Sequence, residues 1–67
     1  MLRTYSNRFA SMEEQAGGGW VVFNEITGEP VYLDPEADFP EARVFKTYGL
    51  ARTVMSELTV RNMAIAR

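Results

Sequence analysis

The sequence predicts a single α+β domain in which a small three-stranded antiparallel sheet packs against a C-terminal α-helix. Three observations carry that expectation: the β-branched and aromatic run Trp20-Val21-Val22-Phe23-Asn24-Glu25-Ile26, the turn Thr27-Gly28-Glu29 behind it, and apolar residues recurring every three or four positions from Leu50 to Ile65. Sixty-seven residues suit one core, because a chain this short buries only about 60% of the surface it exposes when unfolded. Residues 1–67 are therefore read as one unit: an N-terminal arm or short helix over 1–19, a sheet with an acidic loop over 20–46, and a helix over 47–66. An apolar fraction of 46% with eight aromatic residues belongs to a folded protein, not to a disordered acidic tail.

Each element has a local reason. Phe9, Met12 and Ala16 are spaced as on one face of a helix that Ser6 could cap, which favours a short helix; the alternative is that residues 2–9 form an edge strand. Gly17-Gly18-Gly19 ends that segment as a joint or cap, and a phosphate cradle is disfavoured because a strand follows it, not a helix. Strands are expected near 20–26, 30–34 and 43–46. The first places Trp20, Val22 and Ile26 on one face and Val21 and Phe23 on the other, and Pro30 puts the start of the return strand at an edge or at the loop boundary. Asp34-Pro35-Glu36-Ala37-Asp38-Phe39-Pro40-Glu41 is a proline-bracketed loop. Thr47 caps a helix running from about Tyr48 to Ala64, with Leu50, Ala51, Val54, Met55, Leu58 and Ile65 as its buried stripe and Glu57–Arg61 as an i,i+4 pair.

Charge is sorted along the chain. From residue 24 to 41 the acidic Glu25, Glu29, Asp34, Glu36, Asp38 and Glu41 give a formal −6 with no basic residue among them. From 43 to 67, Arg43, Lys46, Arg52, Arg61 and Arg67 face only Glu57 and give +4, within a net charge of −2. Such asymmetry speaks to partners more than the total does.

Several functions are disfavoured by composition. With neither Cys nor His, the usual thiol nucleophile, the commonest general base and the commonest transition-metal ligands are all missing, so no catalysis, cofactor or structural metal is expected. Asp34, Glu36 and Asp38 alternate as in a calcium loop, but the glycine and distal bidentate Glu of that site are missing. The first eight residues place no apolar run behind Arg3, and the longest such run, Trp20 to Phe23, is four residues, so neither a secretory signal nor a membrane span is expected and a cytoplasmic location is the default. A domain of this size without staples commonly needs good helix-on-sheet packing or a partner subunit, so a homodimer is one expectation.

Two resemblances attach to particular residues. Gly19-Trp20, Thr27-Gly28 and Val31-Tyr32-Leu33 resemble the opening of a WW domain, but the second signature Trp and the proline after it are missing, so proline-peptide binding is rejected and Trp20 is read as core. The hairpin, short strand and helix, with the acidic tract from Glu25 to Glu41, resemble in size, charge and architecture the small β-sheet-plus-helix accessory proteins of phages and plasmids, anti-CRISPR inhibitors among them. That resemblance implies a non-catalytic inhibitor or adaptor that presents acidic groups to a basic, nucleic-acid-handling complex.

The expected function is thus protein binding through Glu25, Glu29, Asp34, Glu36, Asp38 and Glu41, with Tyr32 and Phe39 as anchors. The bland alternative is that these carboxylates serve solubility or pair with the chain's own arginines. A second functional reading is a small nucleic-acid-binding regulator using Arg43, Lys46, Arg52 and Arg61, weighed against an acidic pI near 4.9.

Overall fold

Asn7 decides the form of the N-terminal segment. In the computed structural model, which describes residues 1–66, its side-chain Oδ1 accepts the backbone N–H of Phe9 at 2.8 Å and of Ala10 at 3.0 Å. Its own N–H donates to the Ala10 carbonyl at 2.9 Å. A side chain that closes its own turn in this way competes directly with helix formation. The chain doubles back as a hairpin of β1, Thr4–Ser6, and β2, Ala10–Glu14. The helix favoured for Ser6–Ala16 is not formed, and the edge-strand alternative describes β1. The period-two alternation of Ala10 and Met12 with Ser11 and Glu13 prevails over the helical spacing of Phe9, Met12 and Ala16.

The sheet is completed by β3, Trp20–Asn24, and its order is β1-β2-β3, antiparallel throughout. Tyr5, Met12 and Val22 lie in one row across it. The three-stranded antiparallel sheet on a C-terminal helix is therefore present, but two of its strands are not those expected. The segments near 30–34 and 43–46 make only isolated bridges, Phe23 with Pro30, Tyr32 with Ala42 and Trp20 with Phe45. Pro30 has no N–H to give a ladder. Asn24 Oδ1 accepts Ile26 N–H at 2.9 Å and ends β3 two residues early, leaving Ile26 exposed and not on the Trp20 and Val22 face. The 30–46 segment still follows the outer edge of β3, through Val31 N–H to Val22 O and a reciprocal Trp20–Phe45 pair.

The glycine triplet is the β2–β3 connection. Gly19 has φ +84, and a Cβ there would stand 2.5 Å from Val44 Cγ1 and 2.9 Å from Phe45 O, so the close approach of residues 44–45 requires glycine.

The helix α1, Tyr48–Ile65, starts at Thr47, whose Oγ1 accepts Leu50 N–H at 3.2 Å as expected of a cap. It lies on the sheet face that carries Ala10, Met12, Trp20 and Val22 and closes a core with Phe45, Ala51 and Met55, flanked by Val31, Val54 and Leu58. Leu50 and Ile65, assigned to the buried stripe, are exposed. Leu50 stands about 140° around the axis from Met55. Ile65 lies beyond the sheet end, which is occupied by the buried Asn62. The Asn62 amide donates to Phe9 O and to Asn24 Oδ1, both at 2.9 Å, tying the helix to the β1–β2 turn and to the end of β3. Arg67, counted with the basic segment, lies outside the described residues. No described helix is long and apolar enough to cross a membrane.

Candidate functional site

The acidic residues of the loop are held by a closed neck. Tyr32 bridges Ala42, and Leu33 N–H donates to Glu41 O at 2.9 Å, so residues 33–41 are presented from a two-stranded base. Within the loop, Asp34 makes a local turn, its Oδ1 accepting Glu36 N–H at 3.1 Å and its carbonyl accepting Ala37 N–H at 3.2 Å. Pro35 and Pro40 fix φ on either side of the tip. Phe39, between Asp38 and Pro40, is 91% exposed, and Leu33 at the neck is 68% exposed.

Asp34, Glu36, Asp38 and Glu41 are all exposed. Among the described residues the one ion pair is Arg3–Glu14, at 3.2 Å. The loop carboxylates thus make no ion pair with a described arginine or lysine. Glu57 and Arg61 do not close the pair their spacing allows; for exposed long side chains the entropy of holding such a pair offsets its attraction.

The other acidic positions sit differently. Glu25 accepts the buried Ser11 hydroxyl at 2.8 Å, which places its carboxylate on the sheet face away from the helix, since Ser11 alternates with Ala10 and Met12. Glu29 accepts the Tyr32 hydroxyl at 3.3 Å. Desolvation, and then the nearby Glu29 charge, push the Tyr32 hydroxyl above its usual pKa. Tyr32 is half-buried against its own loop base and has less free surface than Phe39.

The basic residues do not form one surface. Arg52 and Arg61 are nine positions apart, about half a turn around α1. Arg52 borders a groove of about 200 Å³ with Asn7, Met55, Ser56, Thr59 and Val60, whereas Arg61 borders one of about 220 Å³ on the opposite flank with Val31, Val54, Glu57 and Leu58. Arg43 lies over the Phe45 ring at 5.0 Å, and Lys46 is exposed just before the helix cap.

One group of side chains escaped the sequence reading. Tyr5 of β1 and Tyr48 of α1 meet edge to face at 5.5 Å, both against Trp20, with centroid distances of 5.9 Å and 5.6 Å. Arg3 lies over Trp20 at 5.1 Å while paired with Glu14. Its hydrogen bonds hold the Glu14 carboxyl below the usual glutamate pKa. No spacing rule joins residue 5 to residue 48; only the register of a strand that was read two ways brings them together.

Among the described residues no group of three or more His, Cys, Asp or Glu is placed to hold a metal ion. An open groove of about 520 Å³ is lined by Arg8, Phe9, Ile26, Met63 and Ala66, with no Asp or Glu side chain among these described residues. The chain matches no protein-family model, no curated protein sequence and no solved structure, so its chemistry and geometry alone carry the functional argument.

Proposed function

We propose that this chain is a small non-catalytic protein-binding module that inhibits a nucleic-acid-handling complex, in the manner of anti-CRISPR inhibitors, by presenting its acidic loop to a basic surface. The observation that carries the reading is Phe39, 91% exposed in a closed loop whose four carboxylates make no ion pair with a described basic residue. Unpaired surface carboxylates raise the encounter rate with a basic partner and select against acidic ones. An exposed aromatic ring, buried on docking, supplies the affinity that rim charges do not. The closed neck and the two prolines mean that little loop entropy is lost on binding.

The test uses the tagged full chain to capture its partner from lysate with and without nuclease, followed by Phe39→Ala and by Glu36→Lys with Asp38→Lys. The proposal expects a stoichiometric, nuclease-resistant protein partner whose action on nucleic acid is blocked. Phe39→Ala should weaken that complex by at least about 2 kcal/mol, roughly thirtyfold, and the charge reversal should slow association and remove its salt dependence. A partner that binds both variants as tightly as the parent refutes the loop as the interface. Retention that disappears with nuclease refutes the protein-directed reading itself.

A further inference from the structure

The seam between β1 and α1 carries chemistry that the acidic loop does not use. At one end stand the rings of Tyr5 and Tyr48, 38% and 40% exposed, over a Trp20 that is 3% exposed and serves as their floor. One helical turn after Tyr48, on the same face, Arg52 reaches the groove shared with Asn7 and Thr59, whose side chains span the seam through a 3.2 Å hydrogen bond. Arg52 has no carboxylate partner among the described residues; its one side-chain contact of this kind is a 3.9 Å approach to Met55 Sδ. Lys46 is exposed one residue before the Thr47 cap. Glu14, the carboxylate nearest this cluster in the sheet register, is already neutralised by Arg3.

We propose that this seam binds single-stranded nucleic acid, with an unpaired base stacked on one exposed ring of the edge-to-face Tyr5–Tyr48 pair and the adjoining phosphates held by Arg52 and Lys46. Aromatic faces accept any base, and cations beside them track the backbone, which is how single strands are held without sequence preference. Duplex DNA offers no unpaired base to the tyrosines, so the site selects single strands. Two of the four basic residues that the sequence offers for a nucleic-acid surface, Lys46 and Arg52, take part. Arg43, over Phe45, and Arg61, on the far flank of α1, do not. The inference is independent of the acidic loop, and either site can fail without the other.

The experiment is a titration of the full chain with a labelled short oligothymidylate and with a duplex of equal length, across a range of salt. The single strand should bind saturably and the duplex much more weakly. The log–log salt slope should be about −1.4, for two phosphates neutralised at about −0.7 each on a single strand. Tyr48→Leu should weaken binding about tenfold or more. Because that change also touches the Trp20 cluster, Arg52→Gln supplies a second readout at an exposed position: a slope reduced by about 0.7, with Arg61→Gln leaving the slope unchanged. No saturable binding at low salt overturns the proposal. So does equal affinity for duplex, an unaltered titration in both Tyr48→Leu and Arg52→Gln, or an Arg61→Gln effect as large as that of Arg52→Gln, which would indicate diffuse charge attraction without a site.

Discussion

Replacing Asn62 by Asp exchanges one atom group for another of nearly the same shape and tests whether the helix is seated by hydrogen bonding. Asn62 is 4% exposed, and both protons of its amide are used, one on Phe9 O and one on Asn24 Oδ1. In Asn62→Asp a carboxylate faces those two acceptors. The loss comprises two hydrogen bonds at about 1 kcal/mol each and the burial of an unpaired charge, for a total of about 3–5 kcal/mol at neutral pH. Asn62→Ala is the control. Phe9 O retains the Glu25 N–H at 3.1 Å and Asn24 Oδ1 retains the Ile26 N–H at 2.9 Å, so truncation leaves neither acceptor bare and costs about 1–2 kcal/mol. A domain of 67 residues commonly has about 3–10 kcal/mol in all, so the Asp variant should be close to unfolding and the Ala variant should not. Urea melts followed by the fluorescence of the single tryptophan, Trp20, read the difference. Burial raises the native pKa of the introduced carboxyl above its unfolded value, so its penalty is largest above the native pKa and is relieved as pH falls through it. Equal stability of the two variants at pH 7, or a variant that loses ground to Asn62→Ala on acidification towards pH 5, would refute the reasoning.

Three further outcomes follow from the packing. Met55 is 2% exposed at the centre of the core, so Met55→Ala should cost about 2–5 kcal/mol in a chemical melt, whereas Leu50→Ala, 55% exposed, should cost well under 1 kcal/mol. Gly19→Ala meets both a φ of +84 and a Cβ 2.9 Å from Phe45 O, and should lose about 2–3 kcal/mol; Gly17→Ala, with open space around it, should be neutral or gain a few tenths, and thermal melts rank the two. The Glu14 carboxyl is held below its ordinary pKa by Arg3, so its contribution is fully present above the ordinary glutamate range and is lost as pH falls through the lower native value. The protection of the β1 amides, measured as exchange relative to the intrinsic rate at each pH, should therefore fall as pH drops below the ordinary glutamate range, and Glu14→Gln should remove that dependence.

What could be read from the sequence was what one element decides by itself. Thr47 as a cap, Ala51 and Met55 as a buried stripe, and Gly28 in a left-handed turn at φ +79 are local facts of spacing and conformation. What could not be read was competition for edges. β3 has two edges; β2 takes one, and the 30–46 segment is left to bridge the other at scattered points. Nothing in Val31-Tyr32-Leu33 announces that outcome, since the decisive signal, the Asn7 turn that frees β2 to pair, lies more than twenty positions upstream. Asn62 was invisible for a related reason: a polar residue at a core-facing position reads as a surface one until its partners, Phe9 and Asn24, are placed beside it. At the candidate site the acidic run and the exposed Phe39 were legible because prolines bracket them. The Tyr5–Tyr48 pair was not, because it depends on β1's register.

The separation of charge along the chain has a structural counterpart that a net charge of −2 conceals. Glu25 is turned to the sheet face away from the helix, and the carboxylates of residues 34–41 project from a neck bonded only through backbone and side chains of its own segment. Arg52 lies on the helix side of the sheet, away from the Glu25 carboxylate, along the β1–α1 seam. The core that separates them is small, and its members, from Ala10 to Met55, include no residue of 33–41. Substitutions in the loop should therefore alter docking without altering stability, while substitutions in the aromatic cluster around Trp20 should alter both. That difference makes Phe39 the more informative residue for function: in a chain with so little apolar surface buried, a phenylalanine left 91% in water contributes almost nothing to the fold, and its hydrophobic free energy is available only to a partner.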